Sequence, residues 1–201
     1  MKIGIYAGTF DPVHDGHIEF AKTAIAEAVL EKVVLVAEKE PYRKKPHASW
    51  DHRQAMLERA TEAIEAVDHN YAFAAELSHQ HTMKNMLEVA IKHYGSEHEF
   101  YFLVGSDIFE HIHQWEDMLQ SHEYGGFVVA LRDEHTQQWL QKRIDHSEAS
   151  GQKLNIILLD NKKPRISSGH IREQISENTT PEDIPKVVKD YVYTHHLYAA
   201  L

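Results

Sequence analysis

Gly8-Thr9-Phe10-Asp11-Pro12-Val13-His14-Asp15-Gly16-His17 joins two segments with different hydrophobic periods, and that junction decides the fold. Before it, Lys2 to Ala7 carries Ile3 and Ile5 in alternation and reads as a strand. After it, Ile18, Ala21, Ile25, Ala28 and Val29 recur at helical spacing. The segment between is therefore a strand-to-helix turn. Gly8 lets the backbone leave the strand without a side chain in the way, Pro12 stiffens the loop, and Asp15 or Gly16 is the expected helix cap. His14 and His17 flank a helix start whose unpaired N–H groups attract an anion, so both imidazoles can converge on one phosphate.

The same alternation continues along the chain. Strand-like runs at Val33 to Ala37, Tyr71 to Ala75, Phe100 to Val104, Phe127 to Leu131 and Leu154 to Leu159 are interleaved with helical patterns. The latter cover Gly16 to Leu30, Trp50 to Ala66, Thr82 to His93, Thr136 to Asp145, Gly169 to Ser176 and Pro181 to Thr194. This order predicts an α/β fold, a Rossmann-like doubly wound parallel sheet with helices on both faces. No repeat or Pro/Gly/Ser linker divides the chain, so residues 1–201 are expected to form one domain. In such a sheet ligands bind beyond the carboxyl ends of the strands, which places the Gly8 to His17 turn, the Pro41 to Lys45 loop and the Gly105 to Asp107 turn at one crevice.

Lys and Arg number 21 against 31 Asp and Glu, a net charge of −10, which argues against a general nucleic-acid or anionic-membrane surface. A phosphate must then be met by local positive groups. Cysteine is absent, which excludes disulfides and thiol catalysis. His79-x-His81, His111-x-His113 and His195-His196 lack the cysteines or His-Glu-x-x-His spacing of a transition-metal site, and no metal site within the protein is expected. With neither a signal-peptide pattern nor a membrane-length apolar run, the expected location is cytoplasmic.

Gly-Thr-Phe-Asp-Pro-Val-His-x-Gly-His resembles the signature of the nucleotidylyltransferase superfamily with a His-x-Gly-His motif, most closely its nicotinate (nicotinamide) mononucleotide adenylyltransferases. A second segment, Ile166-Ser167-Ser168-Gly169-His170-Ile171-Arg172, is similar to the Ile-Ser-Ser/Thr-x-x-Ile-Arg segment of that family, about 150 residues further on. Alone, it would read as a capped surface helix. Between the two, Pro41-Tyr42-Arg43, Arg53-Gln-Ala-Met56-Leu57, Thr82, Phe102 to Asp107 and Trp115 extend the resemblance over nearly the whole chain. Tyr42 replaces a usual histidine, Asn85 a common threonine and Gly169 a frequent threonine or alanine, departures that cluster on the mononucleotide side.

The resemblance implies adenylyl transfer from ATP to nicotinate or nicotinamide mononucleotide with release of pyrophosphate, in NAD biosynthesis. ATP binding falls by resemblance to Gly8, Thr9, Phe10, His14, His17, Gly105, Asp107, Ile166, Ser167, Ser168 and Arg172, with His14, His17 and Arg172 catalytic. Asp11, Arg43, Thr82 and Trp115 are the implied mononucleotide-binding residues. Mg²⁺ is expected to arrive on the ATP phosphates, needing few protein ligands. The acceptor phosphate is already largely dianionic at neutral pH, so the site must supply alignment and positive donors more than a base or a nucleophile. Adenylyl or cytidylyl transfer to another phosphate such as phosphopantetheine, and a non-catalytic ATP or NAD sensor, are the alternatives. Oligomeric state is open, a homo-oligomer included.

Overall fold

The computed structural model describes residues 1–41, 45–77, 82–105, 123–131, 138–142, 144–145, 155–160 and 166–199. In chain order the elements are β1 (Lys2–Gly8), α1 (Asp15–Glu27), β2 (Lys32–Ala37), α2 (Trp50–Thr61), β3 (Val67–His69), α3 (Tyr71–Glu76) and α4 (Met83–Tyr94). They continue with β4 (Glu99–Val104), β5 (Tyr124–Leu131), β6 (Ile156–Asp160), α5 (Ser168–Ser176) and α6 (Lys186–Thr194). The strands form one sheet in the order β3-β2-β1-β4-β5-β6. Every neighbouring pair is parallel. This is the doubly wound order, which reverses between β1 and β4 and opens a crevice there beyond their carboxyl ends.

Both faces of the sheet are covered, and the strands are correspondingly apolar throughout. In β2 alternate residues divide between two cores: Val33, Leu35 and Ala37 face α1, α2, α5 and α6, while Val34 and Val36 face α3 and α4. Gly4 lies on the first face, where a Cβ would come within 2.9 Å of side-chain carbons of Leu30, Val33 and Leu103. A side chain at that position would force those neighbours to shift.

One expected strand is a helix. Tyr71 to Ala75 forms most of α3, and the third strand is the shorter Val67–His69 just before it. The apparent alternation of Tyr71 and Phe73 misleads because Asn70 accepts the Phe73 N–H at 2.9 Å, a helix cap. The buried set is Phe73, Ala74 and Leu77, which is helical spacing. Several helices are also shorter than their apolar patterns. Val29 and Ala66 adopt left-handed backbone, φ 52° and 62°, after α1 and α2 have ended. α6 starts after Pro185, five residues later than Pro181, because the residue before a proline disfavours helical backbone. Within Thr136 to Asp145 the described residues 138–142 and 144–145 are helical. Among the described residues no helix is long and apolar enough to cross a membrane.

Gly4→Ala is expected to destabilise the fold by about 1–3 kcal/mol through overpacking, a melting-temperature loss of roughly 2–10 °C at this chain length. Thermal unfolding followed by circular dichroism checks it, and an unchanged midpoint would show that Leu30, Val33 and Leu103 yield freely.

Candidate active site

The turn after β1 is built around strained but well-packed backbone. Phe10 sits in the left-handed region at φ 48°, a costly conformation for a side chain of this size. It is held there by burial, with its ring edge-on to Tyr6 at 5.3 Å and to His17 at 4.9 Å. A Cβ on Gly8 would lie 3.3 Å from the same ring. The Asp11–Pro12 peptide bond is cis.

His14, and neither Asp15 nor Gly16, is the N-cap of α1, with extended backbone at φ −143° and ψ 170°. Its N–H donates to His17 Nδ1 at 3.2 Å, while the His17 N–H donates back to the His14 carbonyl at 2.9 Å. Because Nδ1 of His17 accepts, its ring hydrogen is on Nε2. The two rings stack at 3.5 Å with 16° between their planes. His14 is 5% exposed, and burial pushes its imidazole down to about 4, so it is neutral at pH 7. The positive donor expected of this residue is therefore a neutral one until an anion compensates the desolvation. Its Nδ1 is buried without a hydrogen-bond partner. A Cβ on Gly16 would stand 3.1 Å from that atom, so Gly16 provides the space in which the His14 ring lies.

The second motif docks directly on the first. Ser167 caps α5 by accepting the His170 N–H at 3.1 Å. Ser168 O–H donates to the Pro12 carbonyl at 2.9 Å, and Arg172 Nη1 donates to the Asp11 carbonyl at 2.6 Å. Ile166 Cβ would be 3.4 Å from a Cβ on Gly16. Segments far apart in sequence thus place the α5 N-terminus, Arg172 and the histidine pair around one loop.

Asp11 ties further segments to that loop. Its carboxylate, 3% exposed, accepts the His47 N–H at 2.7 Å, the Ala48 N–H at 3.0 Å and the Tyr198 hydroxyl at 2.8 Å. The side chain implied to bind the mononucleotide thus anchors the loop before α2 and the turn after α6. Arg53, only 1% exposed, donates to the carbonyls of Thr9 at 2.7 Å, Glu38 at 2.8 Å and Lys39 at 3.2 Å. It braces the chain beyond β1 against the chain beyond β2. Sequence reasoning did not single out Arg53 or Tyr198 for the site. A signal for Arg53 was present, since it shares one helical face with Met56, Leu57 and Ala60, where a cation must find buried acceptors.

The remaining candidates divide. Gly105 follows β4, the strand paired with β1 at the switch point. Thr82 is the N-cap of α4, accepting the Asn85 N–H at 3.1 Å, and α4 packs on the opposite face of the sheet from α1 and α5. Arg43, Asp107 and Trp115 lie outside the described residues, as do Tyr42, His79, His81, His111 and His113. Among the described residues no group of three or more His, Asp or Glu is placed to hold a metal ion.

A family model described as Cytidylyltransferase-like matches residues 5–174. Among curated relatives, a probable nicotinate-nucleotide adenylyltransferase of Solibacter usitatus is 27% identical, over 98% of this chain and 100% of that protein. One from Shewanella sp. (strain ANA-3) is 29% identical over 98% and 99%. Among solved structures, the Plasmodium falciparum nicotinic acid mononucleotide adenylyltransferase complexed with NaAD superposes with a TM-score of 0.68. It is 18% identical, covers 98% of this chain and 97% of its own, and agrees in fold.

The His14 imidazole is expected to titrate near pH 4 by NMR, and its midpoint to rise when a phosphate ligand binds. Its folded value lies below the ordinary 6.5, so the unfolded chain binds more protons between those limits. His14 therefore lowers stability progressively as pH falls from 6.5 to 4, and His14→Gln should remove that share of the acid sensitivity. A midpoint near 6.5 would contradict the buried geometry. Arg53→Lys keeps the charge but lacks the fork that reaches three carbonyls, and should cost on the order of 2 kcal/mol or more in chemical denaturation.

Proposed function

The chain belongs to the cytidylyltransferase-like family, and from that membership we propose that it transfers the adenylyl group of ATP to nicotinate or nicotinamide mononucleotide in NAD biosynthesis. The observation that carries this reading is the docking of the two motifs. Ser168 on Pro12 and Arg172 on Asp11 bring the α5 N-terminus beside the stacked histidines at the sheet's switch point. The similarity to nicotinate-nucleotide adenylyltransferases along almost all of this chain supports the choice of acceptor.

In the reaction an oxygen of the acceptor phosphate forms a bond to the α-phosphorus of ATP, and the bond to the pyrophosphate oxygen breaks. No protein nucleophile is needed. The chain's task is to align two anions and to meet the charge that builds on the transferring and leaving phosphates. His17, with its ring hydrogen on Nε2, and His14 are the proposed donors to the triphosphate, and Arg172 with the N–H groups of α5 holds the leaving pyrophosphate. Gly8, Thr9, Phe10, Gly105, Asp107, Ile166, Ser167 and Ser168 are the other proposed ATP contacts. Mg²⁺ carried on the ATP phosphates would lessen the repulsion between the two anions and would need few ligands from the protein. Asp11 acts on the acceptor side through the loop it anchors, with Arg43, Thr82 and Trp115 as the other proposed contacts. A cytoplasmic location fits these substrates.

Pyrophosphate release is expected from Mg-ATP with nicotinate or nicotinamide mononucleotide, and should collapse when EDTA removes the metal. His17→Ala should lower kcat by ~10²-fold or more, the scale for losing one transition-state donor. Inert pyridine mononucleotides beside reactive phosphopantetheine would change the acceptor. ATP binding with no turnover on any acceptor would make the protein a sensor.

A further inference from the structure

We propose that Tyr198 is a positioning residue whose hydroxyl, by filling a hydrogen-bond site on the Asp11 carboxylate, keeps Arg172 directed at the crevice and not onto Asp11. The proposal rests on the reading that Arg172 holds ATP phosphates. Tyr198 lies in the turn after α6, in left-handed backbone at φ 63°, and its hydroxyl donates to Asp11 Oδ1 at 2.8 Å. Oδ1 also accepts from Ala48 N–H, and Oδ2 accepts from His47 N–H. Arg172 Nη1 stands 3.9 Å from Oδ2, too far for a hydrogen bond, and donates to the Asp11 backbone carbonyl instead.

That placement is unusual for a guanidinium so close to a buried carboxylate, since the paired, charge-assisted bond is the stronger one. It is explained by occupancy, because the carboxylate is already satisfied by three neutral donors. Tyr198 is the one of the three that comes from a side chain. Burial, reinforced by the neighbouring carboxylate, pushes its phenol up, so it stays a neutral donor at physiological pH. Arg53 is the second cation of the cluster, and its guanidinium is fixed on the Thr9, Glu38 and Lys39 carbonyls. Were the phenol replaced by an apolar ring, Oδ1 would lose a donor; the His47 ring already stands against Oδ2, its Nδ1 at 3.4 Å, and Arg172, with Nη1 3.9 Å from Oδ2, is the guanidinium within reach to restore the lost bond. The arginine would then be neutralised against Asp11 and withdrawn from phosphate.

Tyr198→Phe removes the oxygen and keeps the ring. Its crystal structure is expected to show an Arg172 guanidinium nitrogen within roughly 3 Å of the Asp11 carboxylate, and calorimetric titration to show Mg-ATP binding weakened about tenfold or more. The KM for ATP should rise with it, whereas the KM for the pyridine mononucleotide should change little. In an Asp11→Asn background there is no carboxylate charge to capture Arg172, so adding Tyr198→Phe should leave ATP affinity unchanged from Asp11→Asn alone. Arg172 remaining on the Asp11 carbonyl, a purely thermal loss with unaltered ATP affinity, or an equal loss of affinity in the Asp11→Asn background would each overturn the proposal. Inert pyridine mononucleotides with normal ATP binding would overturn only the acceptor assignment, because the arginine's position in the crystal is decided without turnover.

Discussion

A buried carboxylate in water-excluded surroundings is tolerated only when its oxygens are met by donors, and Asp11 meets that requirement with groups from two distant parts of the chain. His47 and Ala48 come from the loop before α2, and Tyr198 from the turn after α6. The Asp11 carbonyl, next to the same side chain, receives Arg172 from α5. Removing the Asp11 carboxylate would thus release the pre-α2 loop and the last turn together, while the backbone carbonyl that receives Arg172 would remain. Conversely, every one of those segments must be in place before the carboxylate can be buried, so formation of the site is coupled to completion of the fold.

The loop that Asp11 occupies carries further costs. Phe10 is held at positive φ, and His14 keeps a ring nitrogen buried without a partner. Strained backbone and unsatisfied polar atoms persist where the surroundings over-determine them. Here the surroundings are the aromatic contacts of Tyr6 and His17 and the three carbonyl bonds of Arg53 on the adjoining chain. A neutral, buried His14 is a donor whose protonation would respond to any anion that reaches it. That makes its charge a property of the complex and not of the free protein.

The order of strands and helices was legible because hydrophobic period is a local property, and most parallel strands here are apolar enough to show it. Val33 to Ala37 and Phe100 to Val104 are nearly continuous apolar runs, as strands buried on both faces must be. The error at Tyr71 to Ala75 has a local cause as well. Over five residues an alternating pattern and a helical one share members, and the Asn70 cap decides between them. Element ends were less legible, since they depend on backbone states such as those of Val29 and Ala66 that no side-chain pattern announces.

The sequence by itself determined the chemistry offered at the site, because glycines, prolines, histidines and a terminal arginine in two fixed spacings specify which donors exist and on which helix starts they stand. Tertiary structure alone decided which of those donors are charged, which are engaged and which neighbours hold them. His14 is neutral because packing excludes water from it. Arg172 rests on a backbone carbonyl because Asp11 is already satisfied. Arg53 and Tyr198 reach the Gly8–His17 turn because the doubly wound sheet brings α2 and the turn after α6 to the end of β1. Desolvation and long-range hydrogen bonding arise only when segments remote in the chain meet, and a linear spacing carries no record of either.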